Sequence, residues 1–181
     1  MKAKRIVITG GPGSGKTSLI QHLQQRGFTC IPEISREVIL KAQAEGIDQL
    51  FLEDPLLFSD LLLKGRIQQF EATQTALELF VFFDRGLPDV TAYMDYLGTS
   101  YPSYFSETCM DNRYDAIFLL PPWKEIYIQD NERYESFEQA EKIFHFLHQG
   151  YAQYKYEVHH VPVGTIEYRS AFILKKLETL F

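Results

Sequence analysis

The stretch Gly10-Gly11-Pro12-Gly13-Ser14-Gly15-Lys16-Thr17 concentrates the chemistry of this chain. It satisfies the pattern G-x-x-x-x-G-K-[ST] in full. Glycines let the backbone curl until successive N–H groups converge on phosphate oxygens, a shape that side chains would obstruct. A helix opening at Lys16 would aim its positive end at the same point. Lys16 would then reach the β- and γ-phosphates of a nucleoside triphosphate, and the Thr17 hydroxyl would ligate Mg2+. Gly11, Gly13, Ser14 and Gly15 would complete the cradle.

The competing explanation is a chance match in a glycine-rich turn. With glycine at roughly 7% of residues, such a match in a chain this long arises on the order of once in a hundred. The context argues against chance. Arg5–Thr9 is an apolar run of strand type, and Lys16–Arg26 carries Leu19, Ile20 and Leu23 on one helical face before Gly27.

A second constellation follows the apolar run Leu77–Phe83, which ends in Asp84-Arg85-Gly86. A carboxylate there can hold the water shell of Mg2+ or accept a proton from an acceptor hydroxyl. Arg85 can neutralise charge on a phosphoryl group. The alternative for Asp84 is a cap on a helix that begins near Pro88. Glu33 follows the run Phe28–Pro32, where it either orients or deprotonates an acceptor or simply favours a helix N-terminus. Arg36 is a substrate-phosphate ligand or a surface ion-pair partner. Trp123–Arg133, with Lys124, Asp130 and Arg133, reads as a flap of about 123–135 before a helix. Arg133 is its candidate phosphate-facing cation, and a solvated loop is the alternative.

These groups need strands to position them. The runs Arg5–Thr9, Phe28–Pro32, Leu77–Phe83, Ala116–Leu120 and Val158–Val163 predict five buried strands. Helical patterns cover Lys16–Arg26, Pro55–Ala76, Ser136–Tyr156 and Thr165–Leu180, with Ser136 and Gln139 spaced as a capping box. Such alternation predicts an α/β chain: a parallel sheet with helices on both faces and ligands beyond the strands' carboxyl ends. The region Val38–Ala76, about two helices long, is where an acceptor site would be built.

A length of 181 residues favours one domain, and 45% hydrophobic with 23% charged residues is ordinary for a globular protein. A net charge of -6 argues against nucleic acid as a partner. No apolar run approaches a membrane span, and no leader-like segment follows the first residues, so a cytoplasmic location is expected. Cys30 and Cys109 stand alone and are expected to be reduced, without zinc. His145 and His148 lack a third ligand nearby, and His159 and His160 read as ordinary strand residues. Tyr93, Tyr96, Tyr101, Tyr104 and Phe105 read as packing beneath a loop, with stacking on a base or nicotinamide-like ring as the alternative.

Together these residues resemble the P-loop nucleoside and nucleotide kinase group. The closer likeness is to a family of small ATPase domains that includes the kinase domain of bacterial ribosylnicotinamide kinase. Ile6–Thr17, Ile31–Glu37, Phe82–Gly86 and Val161–Arg169 carry it. The resemblance implies a three-layer αβα P-loop NTPase fold with a mainly parallel five-stranded sheet. It also implies Mg2+ and ATP as phosphoryl donor, with GTP compatible, and a flap holding Arg133. Asp84 would lie near metal and acceptor, Arg85 would bind phosphate, and Glu33 would sit in the acceptor pocket. The Asp-Arg-Gly run differs from the Asp-Arg-Ser or Glu-Arg-Ser of several nucleoside and nucleotide kinases, and the flap has fewer arginines than adenylate-kinase-like lids.

The leading functional expectation is an ATP- and Mg2+-dependent kinase of a nucleoside- or nucleotide-like acceptor. The rival is a regulatory ATP- or GTP-binding protein, or slow NTPase, acting through a protein partner. The guanine-reading Asn-Lys-x-Asp is absent, Asp84-Arg85-Gly86-Leu87 is not Asp-x-x-Gly, and no ABC signature occurs. The chain is also too short for the lid domain of an AAA motor. Intact Lys16, Thr17 and Asp84 disfavour a scaffold that has lost catalysis. No sequence feature specifies an oligomeric state.

Overall fold

A computed structural model describes residues 2–127 and 135–181. Five strands form one parallel sheet: β1 (Lys4–Gly10), β2 (Thr29–Ile31), β3 (Phe80–Asp84), β4 (Ala116–Leu120) and β5 (Val158–His160). Their order is β2-β3-β1-β4-β5, so β1 lies at the centre. The helices among the described residues are α1 (Lys16–Gln25), α2 (Ser35–Ala44), α3 (Leu50–Glu53), α4 (Pro55–Ala72), α5 (Leu87–Leu97), α6 (Ser103–Asp111), α7 (Phe137–Gln153) and α8 (Ile166–Leu180).

The sheet is central because its strands are apolar on both faces. Successive strand residues point to opposite sides. Val7, Val81, Phe83 and Ile117 pack with Leu63, Phe70, Val90 and Tyr151 from α4, α5 and α7. Ile6, Ile8, Phe82 and Phe118 pack on the other side with Leu19 and Leu23 of α1 and Ile173 and Leu177 of α8. Burying each such side chain contributes roughly 1.5–3 kcal/mol. The register pairs Ile6 with Phe82 and with Ala116, which brings the tips of β1, β3 and β4 together.

The three-layer αβα expectation with a five-stranded parallel sheet therefore holds, and β4 has the expected limits. Other boundaries moved. β3 starts at Phe80 rather than Leu77, since Leu77 is 94% exposed and has no core to enter. Helix α4 stops at Ala72 rather than Ala76 because Thr73 ends it: its hydroxyl donates to the Phe70 carbonyl and accepts from Arg5 Nε. The ladder ends at His160, although the Val161 N–H still donates to Leu119 O at 2.9 Å. The expected capping box at Ser136 opens α7.

Candidate phosphate cradle and adjoining acceptor cavity

The loop from Gly10 to Thr17 joins β1 to α1, so it emerges at the carboxyl edge of the central strand. Gly13 and Gly15 hold φ of 70° and 73°, the left-handed region that glycine enters without strain. A Cβ at Gly13 would lie 2.1 Å from a ring carbon of Tyr127, and one at Gly15 would lie 2.7 Å from Arg169 Nη1. Both glycines are thus required by conformation and by crowding. The Ser14 hydroxyl turns inward and donates to the Gly11 carbonyl at 2.8 Å.

At the mouth of the loop Lys16 Nζ pairs with an Asp84 carboxylate oxygen, both side chains being largely buried. Burial lowers the proton affinity of Lys16, and the neighbouring Arg85 charge adds to this. Together they outweigh the opposing attraction of Asp84 and Glu33. Thr17 is exposed in the first turn of α1. A hydroxyl and a carboxylate are hard oxygen donors suited to Mg2+, which is usually held by few protein ligands plus phosphate oxygens. Among the described residues no cluster of three or more His, Cys, Asp or Glu could hold a metal by itself.

Beside this pair stands a charged lattice built from three strand tips. Glu33, just past β2, accepts from the Ile34 and Ser35 N–H groups at 3.0 and 3.1 Å where α2 begins. It also faces the site, pairing with Arg85 at 2.6 Å and with Arg66 at 3.1 Å. Burial pushes the Glu33 carboxyl up, but the Arg66, Arg85 and Lys16 charges and the Ser35 N–H overcome this and hold it at about 2. Asp84 is not the cap of α5. That part falls to Asp89, whose carboxylate accepts from the Gly86 N–H at 2.9 Å. Asp89 is 1% exposed and also accepts from Thr9, Tyr151 and Arg85.

Arg66 and Asp89 were not singled out in the sequence. Each carried a signal: Arg66 interrupts an apolar stretch of α4 beside Leu62 and Leu63, and Asp89 stands four residues after Arg85. Arg169 is another such residue. It is 2% exposed, and its Nη2 donates to the Ser14 carbonyl at 2.7 Å, bracing the cradle from α8. Its Nε is buried with no partner among the described residues, and burial lowers its proton affinity.

A cavity of about 460 Å³ opens next to the lattice, with Arg66, Arg85 and Asp89 on one side and Phe51, Phe58, Tyr93 and Tyr96 among its walls. The aromatic cluster therefore divides. Tyr93 and Tyr96 line the cavity, whereas Tyr101 and Tyr104 pack on Phe105 with ring centroids 5.6 and 4.7 Å away. A second cavity of about 590 Å³ lies across the cradle, between Gly13, Gly15, Trp123, Ile126 and the turn Gly164–Glu167. Arg36 is exposed on α2. Asp130 and Arg133 lie outside the described residues. His148 Nδ1 lies 3.0 Å from His160 Nε2, while His145 is in ring contact with Phe144.

No curated protein matches the chain. Among solved structures, the NadR protein in complex with NR superposes with a TM-score of 0.73 at 19% identity, covering 99% of this chain and 51% of that one. Deoxyadenosine kinase from M. mycoides with bound products gives 0.69 at 17% identity, covering 97% and 99%. Thymidylate kinase from Candida albicans gives 0.66 at 17% identity, covering 98% and 92%. These likenesses establish a shared fold. The family model described as an AAA domain matches residues 5–169, and this chain belongs to that family of P-loop domains.

Proposed function

We propose that this protein is a small-molecule kinase that transfers the γ-phosphoryl group of ATP to an alcohol. The observation that carries this reading is the acceptor-sized cavity of about 460 Å³ lined by Arg85, the residue that follows Asp84 in the chain. A protein that only hydrolyses or senses nucleotide has no need of it. Pockets for small ligands are commonly about 300–1,000 Å³, mostly apolar, with a few convergent polar groups. The segment from about 38 to 76 supplies Phe51, Pro55, Phe58 and Leu62 to its wall, which supports its role as the acceptor insertion. The nucleosides and nucleotides named for the deoxyadenosine and thymidylate kinase structures make such acceptors a natural first trial.

In this mechanism the triphosphate lies along Gly11–Thr17, with its base and sugar toward the second cavity. Lys16 leaves Asp84 to engage the β- and γ-phosphates. The acceptor oxygen then bonds to the γ-phosphorus as the bridging P–O bond to the β-phosphate breaks, leaving the diphosphate. The hydroxyl proton passes to Asp84. Glu33 is poorly suited to take it, since it is held near 2 by two arginines, and it orients the acceptor instead. Arg85 offsets charge on the transferred group. Mg2+, held by Thr17 and Asp84, would neutralise phosphate charge when bound. Arg133, outside the described residues, is the further proposed phosphate-facing cation. No helix among the described residues is long and apolar enough to cross a membrane.

The test is ADP release from Mg2+·ATP, first alone and then with pooled nucleosides, monophosphates and ribosylnicotinamide. A pool that raises the rate at least about tenfold, roughly 1.4 kcal/mol of barrier, supports the kinase. A low rate unmoved by every pool would overturn it in favour of a nucleotide switch that reports to a protein partner.

A further inference from the structure

We infer that the acceptor is a nucleoside-class alcohol without a phosphate and not its monophosphate, an inference that rests on the kinase reading above. The shared fold does not decide this, because similar structures include both a deoxyadenosine kinase and a thymidylate kinase. The charges around the cavity do.

Among the described residues the only cations lining the cavity are Arg66 and Arg85. Both are already committed. Arg66 donates through Nη1 to the Gly86 carbonyl at 2.8 Å and through Nη2 to Glu33 at 3.1 Å. Arg85 pairs through Nε with Glu33 at 2.6 Å and through Nη1 with Asp89 at 3.2 Å. Counting Glu33 with the lining acids Asp89 and Glu135 sets three carboxylates against two guanidiniums. Among the described residues the surroundings of the cavity are therefore slightly acidic before any acceptor arrives.

A monophosphate would bring nearly two more negative charges. Drawing Arg85 onto it would strip Glu33 and Asp89 of a shared counter-ion. Asp89 is 1% exposed, so water cannot replace what is lost. Removing one partner from a buried pair is far costlier than leaving the pair alone. A hydroxyl or a base edge makes no such demand, for it can donate to a carboxylate oxygen and accept from a guanidinium while both ion pairs stay closed. The walls agree. Phe58, Tyr93 and Tyr96 offer flat apolar surface that suits a heterocyclic base better than a bare sugar.

The experiment measures kcat/KM of the full chain with Mg2+·ATP for each nucleoside and for the 5′-monophosphate of the same base. Calorimetric titration of both ligand classes runs beside it, so that binding is read independently of turnover. The expected result is a nucleoside preference of at least 100-fold in kcat/KM, with tighter nucleoside binding. Faster turnover of monophosphates would overturn this inference and leave the kinase reading standing. Failure of both classes to bind or to raise ADP release, in protein that still binds ATP, would overturn both. Glu33→Gln, which releases one carboxylate's hold on Arg66 and Arg85, should shift the binding ratio toward monophosphates by at least tenfold. An unchanged ratio in folded variant protein would sink the charge argument.

Discussion

Arg85 Nε lies 2.6 Å from Glu33 Oε2, while the Arg85 backbone is held at φ 74°. A non-glycine residue in that left-handed region is uncommon and costs on the order of 1–3 kcal/mol, so it persists where surroundings over-determine it. Here the determinants are two carboxylates, Glu33 and Asp89, and the face of Tyr93, whose ring centroid is 5.3 Å from the guanidinium. The turn after β3 is thus held by a side chain reaching to the end of β2.

Glu33 should make the fold acid-sensitive. Its folded pKa, near 2, lies below the ordinary carboxyl value of 4.5, so its stabilisation is complete above about 4.5 and is lost as pH falls toward 2. Denaturant melts across pH 2–7 should show a decline in that window. Glu33→Gln should be less stable at pH 7, by on the order of 2 kcal/mol, with a flatter acid limb. A parallel acid limb in the variant would assign the sensitivity elsewhere.

Lys16 and Asp84 should separate affinity from rate. Lys16→Ala is expected to abolish detectable ATP binding by calorimetry, because it removes the cation placed for the phosphates. Asp84→Asn is expected to keep affinity within a few fold while turnover falls at least about 100-fold, near 2.7 kcal/mol of barrier. A rate within twofold of the parent would remove Asp84 from the chemistry.

Arg169 carries a charge under the cradle with no carboxylate acting on it among the described residues, and its Nε makes no hydrogen bond there. Such a charge burdens the empty protein and is relieved by a bound anion. Arg169→Met should therefore leave the Tm of nucleotide-free protein within a few degrees while cutting the ATP-induced rise in Tm by at least half. Equal losses in both states would make it a plain structural residue.

Gly13→Ala tests the crowding against Tyr127. The new methyl group meets a ring carbon at 2.1 Å on a backbone held at φ 70°. Thermal melts should show a loss of about 1–3 kcal/mol, with ATP affinity falling in step. Gly27→Ala has the same backbone penalty and nothing within 4 Å of the added carbon, so it should cost stability and spare affinity.

What could be read in advance was the chemistry written locally. The cradle is contiguous in sequence, and its glycines, lysine and threonine constrain one another. Strand β4 was legible to the residue because Ala116–Leu120 is buried throughout. Arg66 and Asp89 were not, since their importance arises from contacts with Glu33 and Thr9, 33 and 80 positions away. Helix α6 went unseen because it buries only Phe105 and Cys109, too few apolar positions to mark a helical period. Asp84 and Asp89 illustrate the limit well. Both follow β3 closely, yet only the packing shows which one closes the helix.

The bond from Arg169 to the Ser14 carbonyl joins positions 155 residues apart. During synthesis the whole phosphate loop leaves the ribosome long before the guanidinium that braces it. At ~5–20 residues per second that interval is roughly 8–30 seconds. A nascent chain in that interval carries the motif but lacks the Arg169 contact that braces Ser14. A nucleotide captured before α8 docks would therefore meet an unbraced loop.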